Sequence, residues 1–149
     1  MDIHIVAPHS RPGIVLIDDD AAVRRAMLML LRAHDFDVKA YGLGSALICD
    51  PSVRSARLLI TDWQMSDMNG FAVLASLRAT GWTGAALMVT GYYADELVAK
   101  AAEHGFSLIL PKPVADHVLI DTVTRLLGSG QYNDRERFSV ATAPIAGPH

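Results

Sequence analysis

Residues 57–62 read Arg57-Leu58-Leu59-Ile60-Thr61-Asp62, and the polar stretch that follows reads Trp63-Gln64-Met65-Ser66-Asp67-Met68-Asn69-Gly70. The run from Leu58 to Ile60 is short and continuously apolar, which is typical of a strand buried on both faces of a sheet. It ends in the carboxylate of Asp62 and then in a polar turn. Ligands of open α/β sheets bind beyond the carboxyl ends of the strands, so Asp62 is a candidate site residue. Taken alone, a role in capping or turn formation explains Asp62 equally well.

The composition is that of one ordinary globular domain. The 149 residues are 51% hydrophobic and 19% charged, and the net charge is −3. A chain of this length buries a sizeable core. The charge is not basic enough to predict direct binding to nucleic acid, and no apolar run is long enough to predict a membrane span. The single cysteine, Cys49, excludes an internal disulfide. We expect it to be a small core residue in a cytoplasmic protein.

Strand-like and helix-like segments alternate five times along the chain. Apolar runs predict strands at 14–17, 38–41, 58–60, 85–89 and 107–110. Helical periodicity predicts helices around 23–32, 45–50, 71–78, 94–104 and 114–127. This alternation indicates a parallel sheet with helices on both faces and right-handed crossovers.

Both ends of the chain lack periodicity. We expect residues 1–13 to be a flexible leader, residues 14–127 to form the α/β domain, and residues 128–149 to be disordered or to act as an interaction arm. Glycine, serine, asparagine, proline and alanine dominate the last segment, and nothing in it marks a second domain.

Polar residues follow four of the predicted strands, namely Asp18 and Asp19, Asp62, Thr90, and Lys112. The carboxyl ends of parallel strands lie at one edge of a sheet, so these side chains should converge. Two carboxylates 4 Å apart repel by about 4 kcal/mol at an effective dielectric constant of about 20. Such a cluster favours raised pKa values or a bound cation, and a small set of oxygen ligands favours Mg²⁺. A carboxylate, a metal, an ammonium and a hydroxyl are together the parts of a phosphoryl-transfer site.

The pattern resembles the receiver domain of two-component response regulators. The resemblance rests on Ile17-Asp18-Asp19-Asp20, on Asp62 with Met65 and Asp67-Met68-Asn69-Gly70, on Val89-Thr90-Gly91 and on Lys112-Pro113. It covers about residues 13–127, and five separated positions agree in order and spacing. It implies a flavodoxin-like (βα)5 fold, whose five-stranded parallel sheet has the order 2-1-3-4-5. Asp20 is expected to be only a helix cap.

The resemblance also implies the roles of the site residues. Asp62 would accept the phosphoryl group, which Thr90 and Lys112 would contact. Asp18, Asp19 and Asp62 would bind Mg²⁺ together with the backbone carbonyl of Gln64. The Lys112–Pro113 peptide bond would be cis, an isomer that proline makes accessible.

A receiver domain is a signalling domain rather than an enzyme, apart from its own phosphorylation and dephosphorylation. The resemblance therefore implies a partner that is a sensor histidine kinase or a histidine phosphotransfer protein, and it allows a homodimer. Phosphorylation would change protein–protein contacts.

The sequence departs from the family pattern at three positions. Ser66 stands where the family usually has proline, and Pro111 directly precedes Lys112. Ile109 occupies the position of the aromatic switch residue, and an isoleucine cannot report the switch in the same way. Tyr92 and Tyr93 follow Thr90, and we expect both to be ordinary surface aromatics.

Two alternative functions fit parts of the pattern. A small phosphatase of the haloacid-dehalogenase type would use Asp18 and Asp20 with a threonine and a lysine, but it leaves Asp62 without a role. A receiver fold retained as a phosphorylation-independent interaction module would explain Ile109 and Pro111.

Overall fold

A computed structural model of the chain describes residues 13–128. The strands are β1 (Gly13–Ile17), β2 (Asp37–Tyr41), β3 (Leu58–Thr61), β4 (Ala85–Thr90) and β5 (Leu108–Pro111). The α-helices are α1 (Ala21–Ala33), α2 (Gly44–Ile48), α3 (Gly70–Ala79), α4 (Asp95–Glu103) and α5 (Asp116–Gly128), and a 3-10 helix at Pro51–Ser55 follows α2. The expected leader and tail lie outside the described residues, apart from Gly13 and Gly128.

The strands form one parallel sheet in the order β2-β1-β3-β4-β5, which confirms the predicted topology. Their register brings the last residues of neighbouring strands side by side, because Ile17 pairs with Thr61 and Thr90 pairs with Pro111. The segments that leave β1, β3, β4 and β5 therefore start from the same edge of the sheet. This is the edge at which the sequence predicted the site.

The core consists of two apolar layers, one on each face of the sheet. Ile14 and Leu16 point to the layer that contains the buried side chains of α1 and α5. Val15 and Ile17 point to the opposite layer, which contains buried side chains of α2, α3 and α4. Both faces are covered, which explains why the strands are continuous apolar runs rather than alternating ones. Within residues 13–128, no helix is long and apolar enough to cross a membrane.

Local sequence accounts for several helix ends. The side chain of Asp20 accepts hydrogen bonds from the N–H groups of Ala22 and Val23, which confirms its predicted role as the cap of α1. Asn69 caps α3 in the same way. Gly81 and Gly105 follow α3 and α4 with φ angles of 92° and 98°, as the sequence predicted for helix-ending glycines.

The expectation that Cys49 lies in the core is wrong, because its side chain is exposed. The helix in this segment is shorter than predicted and ends at Ile48, so Cys49 is its C-terminal cap residue. Leu47 is the fully buried residue of α2. A residue two positions later in a helical turn points away from that face. The 3-10 helix that follows was not predicted.

A carboxylate from a distant loop caps the start of α2. The local cap residue, Leu43, has no side-chain acceptor. Asp67, in the loop after β3, instead accepts hydrogen bonds from the N–H groups of Gly44 and Ser45 at 3.1 and 3.0 Å. These two bonds, of which the one from Ser45 contributes most, hold the pKa of Asp67 below its ordinary value of 3.8. The site loop is thereby attached to α2.

Asp67→Asn is expected to make folding stability less sensitive to acid. A carboxylate with a lowered pKa in the folded state contributes stability that is present above its unfolded pKa and is lost as the pH falls through the folded value. Urea midpoints measured from about pH 6 to about pH 2.5 should fall more steeply for the wild type than for the variant below about pH 4.

The exposed carboxylate of Asp121, on α5, provides the control, because Asp121→Asn changes the net charge without touching the cap. Identical acid slopes for the wild type and Asp67→Asn would show that the cap contributes nothing to stability.

Candidate functional site

The ammonium of Lys112 joins two carboxylates at the carboxyl edge of the sheet. Its Nζ atom lies 2.7 Å from Oδ2 of Asp18 and 2.7 Å from Oδ2 of Asp62. The three residues directly follow β1, β3 and β5. Residues separated by up to 94 positions in the chain therefore meet because the strands are parallel.

Backbone N–H groups hold the other oxygen of each carboxylate. Oδ1 of Asp18 accepts from the N–H of Asp20 at 2.9 Å, and Oδ1 of Asp62 accepts from the N–H of Trp63 at 2.6 Å. Asp18 is buried, with 2% of its surface exposed, whereas Asp62 is half-buried. Asp62 is thus the more accessible of the two bridged carboxylates.

The environment keeps Lys112 charged. Partial burial acts to lower the pKa of Lys112, but the hydrogen bonds and negative charges of Asp18 and Asp62 outweigh it, and the pKa is raised. A permanent ammonium beside Asp62 is suited to attract an anionic group.

The remaining predicted site residues surround this bridge without joining it. Thr90 is buried, and its hydroxyl accepts a hydrogen bond from the N–H of Tyr92 at 3.1 Å. The carbonyl of Thr90 accepts from the N–H of Lys112 at 2.9 Å, which connects the ends of β4 and β5. Asp19 and Gln64 are exposed at the rim.

The donor atoms of the site have the right chemistry for Mg²⁺, since carboxylate and carbonyl oxygens are the ligands it prefers. Within the described part of the chain, however, no three Asp, Glu, His or Cys side chains converge on one point. Lys112 occupies the space between Asp18 and Asp62, and the side chain of Asp19 is exposed. The oxygen atoms of these residues are therefore suitable ligands for Mg²⁺. In this structure Asp18 and Asp62 bind the ammonium of Lys112.

The strand that carries Lys112 has two unusual features. Ile109 is 1% exposed and packs in the apolar layer on the side of α2, α3 and α4. Pro111 has no N–H, but the N–H of Lys112 supplies the next hydrogen bond to β4, so the pairing of the strands continues to the site. The Lys112–Pro113 peptide bond is cis.

Of the two tyrosines after Thr90, Tyr92 is the surface residue that the sequence predicted, whereas that prediction is wrong for Tyr93. Tyr92 is 60% exposed. Tyr93 is half-buried against the apolar layer, and its hydroxyl is buried without a hydrogen-bond partner among residues 13–128. Burial, with the nearby charge of Asp95, raises the pKa of Tyr93. Neighbours in sequence differ because the loop turns only one of them inward.

Sequence reasoning missed two residues that hold the site. Arg24, on α1, donates from its guanidinium to the carbonyl oxygen of Asp18 at 2.6 Å. The indole of Trp63 packs on Phe71. The position of Arg24 on the polar face of a helix gave no sign of this contact, whereas a tryptophan directly after the candidate acceptor was a usable signal.

The molecule thus combines a parallel sheet in the order 2-1-3-4-5 with two carboxylates and a lysine that meet at its carboxyl edge. The family model of the response regulator receiver domain matches residues 14–124, and the chain belongs to this family. Response regulators act in two-component systems, and their receiver domains are signalling domains. Membership in this family removes the support for the phosphatase alternative, and Asp20, which that alternative needs, is a helix cap.

The chain is similar to several characterised response regulators. It is 31% identical over 114 residues to the tetrathionate response regulatory protein TtrR of Salmonella typhimurium, covering 76% of this chain and 55% of that protein. It is 31% identical over 130 residues to the transcriptional regulatory protein FixJ of Azorhizobium caulinodans, covering 87% of this chain and 61% of that protein. The chain therefore spans little more than half the length of these relatives.

Solved structures show the same fold. The chemotaxis protein CheY4 of Vibrio cholerae superimposes with a TM-score of 0.75 at 21% identity, covering 79% of this chain and all of that one. The structure of FixJ-N superimposes with a TM-score of 0.72 at 25% identity, covering 83% of this chain and 99% of that one.

The bridge predicts a strong energetic coupling between Asp62 and Lys112. Asp62→Asn in the wild type removes a partner of the ammonium, whereas in a Lys112→Met background it relieves repulsion between two carboxylates. A double-mutant cycle from urea unfolding at low ionic strength should give a coupling free energy of about 1–3 kcal/mol.

Asp20→Asn combined with Lys112→Met serves as the matched control, since Asp20 belongs to the same loop as Asp18 but caps a helix. The changes in the free energy of unfolding caused by Asp20→Asn and by Lys112→Met should add to within about 0.5 kcal/mol. A coupling at Asp62 no larger than this would contradict the bridge.

Proposed function

We propose that the chain accepts a phosphoryl group on Asp62 from a phosphorylated histidine of a sensor kinase or phosphotransfer protein. The observation that carries the proposal is the half-buried carboxylate of Asp62 at the carboxyl end of β3, in contact with the ammonium of Lys112. Membership in the receiver family supports it.

The proposed transfer is a displacement at phosphorus. An oxygen of Asp62 forms a bond to phosphorus while the bond between phosphorus and the donor nitrogen breaks, and the imidazole leaves. Lys112 follows the negative charge to the phosphoryl oxygens, because the carboxyl group of the acyl phosphate is uncharged while those oxygens are negative. The hydroxyl of Thr90, at the end of the neighbouring strand, donates to a phosphoryl oxygen once it turns from Tyr92.

Asp18, Asp19, Asp62 and the backbone carbonyl of Gln64 are the groups proposed to hold Mg²⁺. The ion, when bound, would neutralise charge on the phosphoryl oxygens. Oδ2 of Asp18 contacts Lys112, so this oxygen would have to exchange the ammonium for the ion, or share it with the ion, when Mg²⁺ binds.

The output of such a domain is a change in protein contacts. Phosphorylation alters the charge at one edge of the sheet and biases the surface formed by the neighbouring helices, foremost α4. We propose a cytoplasmic signalling role with no direct nucleic-acid contact by this domain, and a homodimer is a compatible assembly. The buried Ile109 supports one alternative, an interaction module whose partner binds regardless of phosphorylation. Equal partner affinity for the wild type and Asp62→Asn would favour it.

Phosphorylation with acetyl phosphate and Mg²⁺, followed by intact mass measurement, tests the proposal. The wild type should gain one phosphoryl group. Asp62→Asn should gain none, because a carboxamide replaces the nucleophilic carboxylate. Omitting Mg²⁺ should abolish the gain.

Asp67→Asn is the matched control, because Asp67 lies in the same loop and caps α2, so this variant should be phosphorylated like the wild type. Equal labelling of Asp62→Asn would place the acceptor elsewhere. If the wild type gains nothing from acetyl phosphate or from phosphorylated histidine kinases, the proposal fails and the interaction module is favoured.

A further inference from the structure

Three aromatic side chains form a continuous path from Asp62 to the end of α4. The ring centroids of Trp63 and Phe71 lie 4.7 Å apart at an interplanar angle of 50°. Those of Phe71 and His104 lie 4.1 Å apart and are nearly parallel, at 5°. We refer to Trp63, Phe71 and His104 as the aromatic stack. It connects the loop after β3, the first turn of α3 and the residue that caps the C-terminus of α4.

At its inner end the stack is held by the candidate acceptor itself. The N–H of Trp63 donates to Oδ1 of Asp62 at 2.6 Å, and the carbonyl of Trp63 accepts from the N–H of Gly70 at 2.8 Å. A Cβ atom at position 70 would lie 2.4 Å from the carbonyl oxygen of Asp62. The start of α3 therefore lies so close to this loop that only glycine fits at position 70. Phe71 is the next residue. A change at the Asp62 carboxylate therefore acts on the peptide group that positions the stack.

At its outer end the stack reaches the last turn of α4. Nδ1 of His104 lies 2.7 Å from the carbonyl oxygen of Lys100, so the imidazole contacts both Phe71 and the helix end. The three rings also line a groove of about 410 Å³ that α4 borders with Leu97. One side of the stack faces this groove, and on the other side Trp63 and Phe71 pack against the apolar layer that contains Phe106.

Ile109 stands at the position where receiver domains usually carry a switch aromatic, and it offers no other route from Asp62 to α4. Ile109 is fully buried and apolar, and it has no polar atom that could exchange one hydrogen bond for another. We infer that the aromatic stack couples the chemical state of Asp62 to the conformation of α4. The inference rests on the proposed function, because phosphorylation is the change of state that the stack would transmit.

The physical basis is the hydrogen bond between Asp62 and Trp63. A carboxylate is a strong, charge-assisted acceptor for an N–H group. Phosphorylation forms a bond between an Asp62 oxygen and phosphorus, breaks the bond to the donor, and removes the charge of the carboxylate. The N–H of Trp63 is then held less strongly, and the displacement passes through Phe71 to His104 by direct ring contact.

Hydrogen–deuterium exchange of residues 95–104 measures the coupling. The exchange rate of this segment should change by about two-fold or more when the wild type is phosphorylated. Phe71→Leu removes the central ring and keeps an apolar side chain, and at equal phosphate occupancy it should lose most of the change.

Variants at His104 separate ring stacking from helix capping. His104→Asn removes the ring and should lose the response, whereas His104→Tyr retains a ring and should keep it. His34 provides the matched control, because it caps α1 with Nδ1 3.0 Å from the carbonyl oxygen of Leu30 and belongs to no ring pair among the described residues. His34→Asn should respond like the wild type. A full response in Phe71→Leu and His104→Asn would overturn the inference.

A variant that needs no phosphate separates this inference from the proposed function. Asp62→Ala removes the acceptor of the Trp63 N–H, so it should alter exchange in residues 95–104, and Asp62→Ala combined with Phe71→Leu should show no more change than Phe71→Leu alone. If this holds while the wild type is never phosphorylated, the proposed function fails and the coupling stands. If the wild type is phosphorylated but neither phosphate nor Asp62→Ala changes the exchange of α4, the coupling fails and the proposed function stands.

Discussion

The ammonium of Lys112, 2.7 Å from both Asp18 and Asp62, is the interaction on which the carboxyl edge of the sheet depends. β5 pairs with β4, whereas the two carboxylates follow β1 and β3, so the bridge connects strands that are not all neighbours. Removing one partner from a buried ion pair leaves an uncompensated charge, which is strongly unfavourable. The bridge thus connects the residues that follow β1, β3 and β5 at the carboxyl edge of the sheet.

Of the two carboxylates that contact Lys112, Asp18 is the more deeply buried and Asp62 is the more accessible. Asp18 is buried and held at both oxygens, which fixes the acidic loop, and Arg24 holds the backbone of the same residue. The carboxylate of Asp67 accepts hydrogen bonds from the start of α2 rather than from a residue of the site. These contacts fix the loops around Asp62, which is the more accessible of the two carboxylates that Lys112 bridges.

Family membership and the particular residues of this chain make separate contributions. The receiver family accounts for the sheet order and for the convergence of Asp18, Asp62 and Lys112. Ile109 and the aromatic stack lie outside that group of three residues. The stack begins in the loop after β3 rather than on β5, and there the side chain next to Asp62 carries a large ring in contact with α3.

Local sequence alone predicted the number and order of the strands and α-helices, the cap at Asp20 and the glycines after α3 and α4, because these depend on neighbouring residues. It also predicted that Asp18, Asp62 and Lys112 would meet, since parallel strands bring their carboxyl ends to one edge. Only the tertiary structure decided which of the candidates touch. The cap on α2 comes from a residue 23 positions away, Tyr93 turns inward where Tyr92 does not, and Phe71 meets His104 across two helices. Contacts between distant segments depend on how loops pack, and no pattern within a single segment encodes that packing.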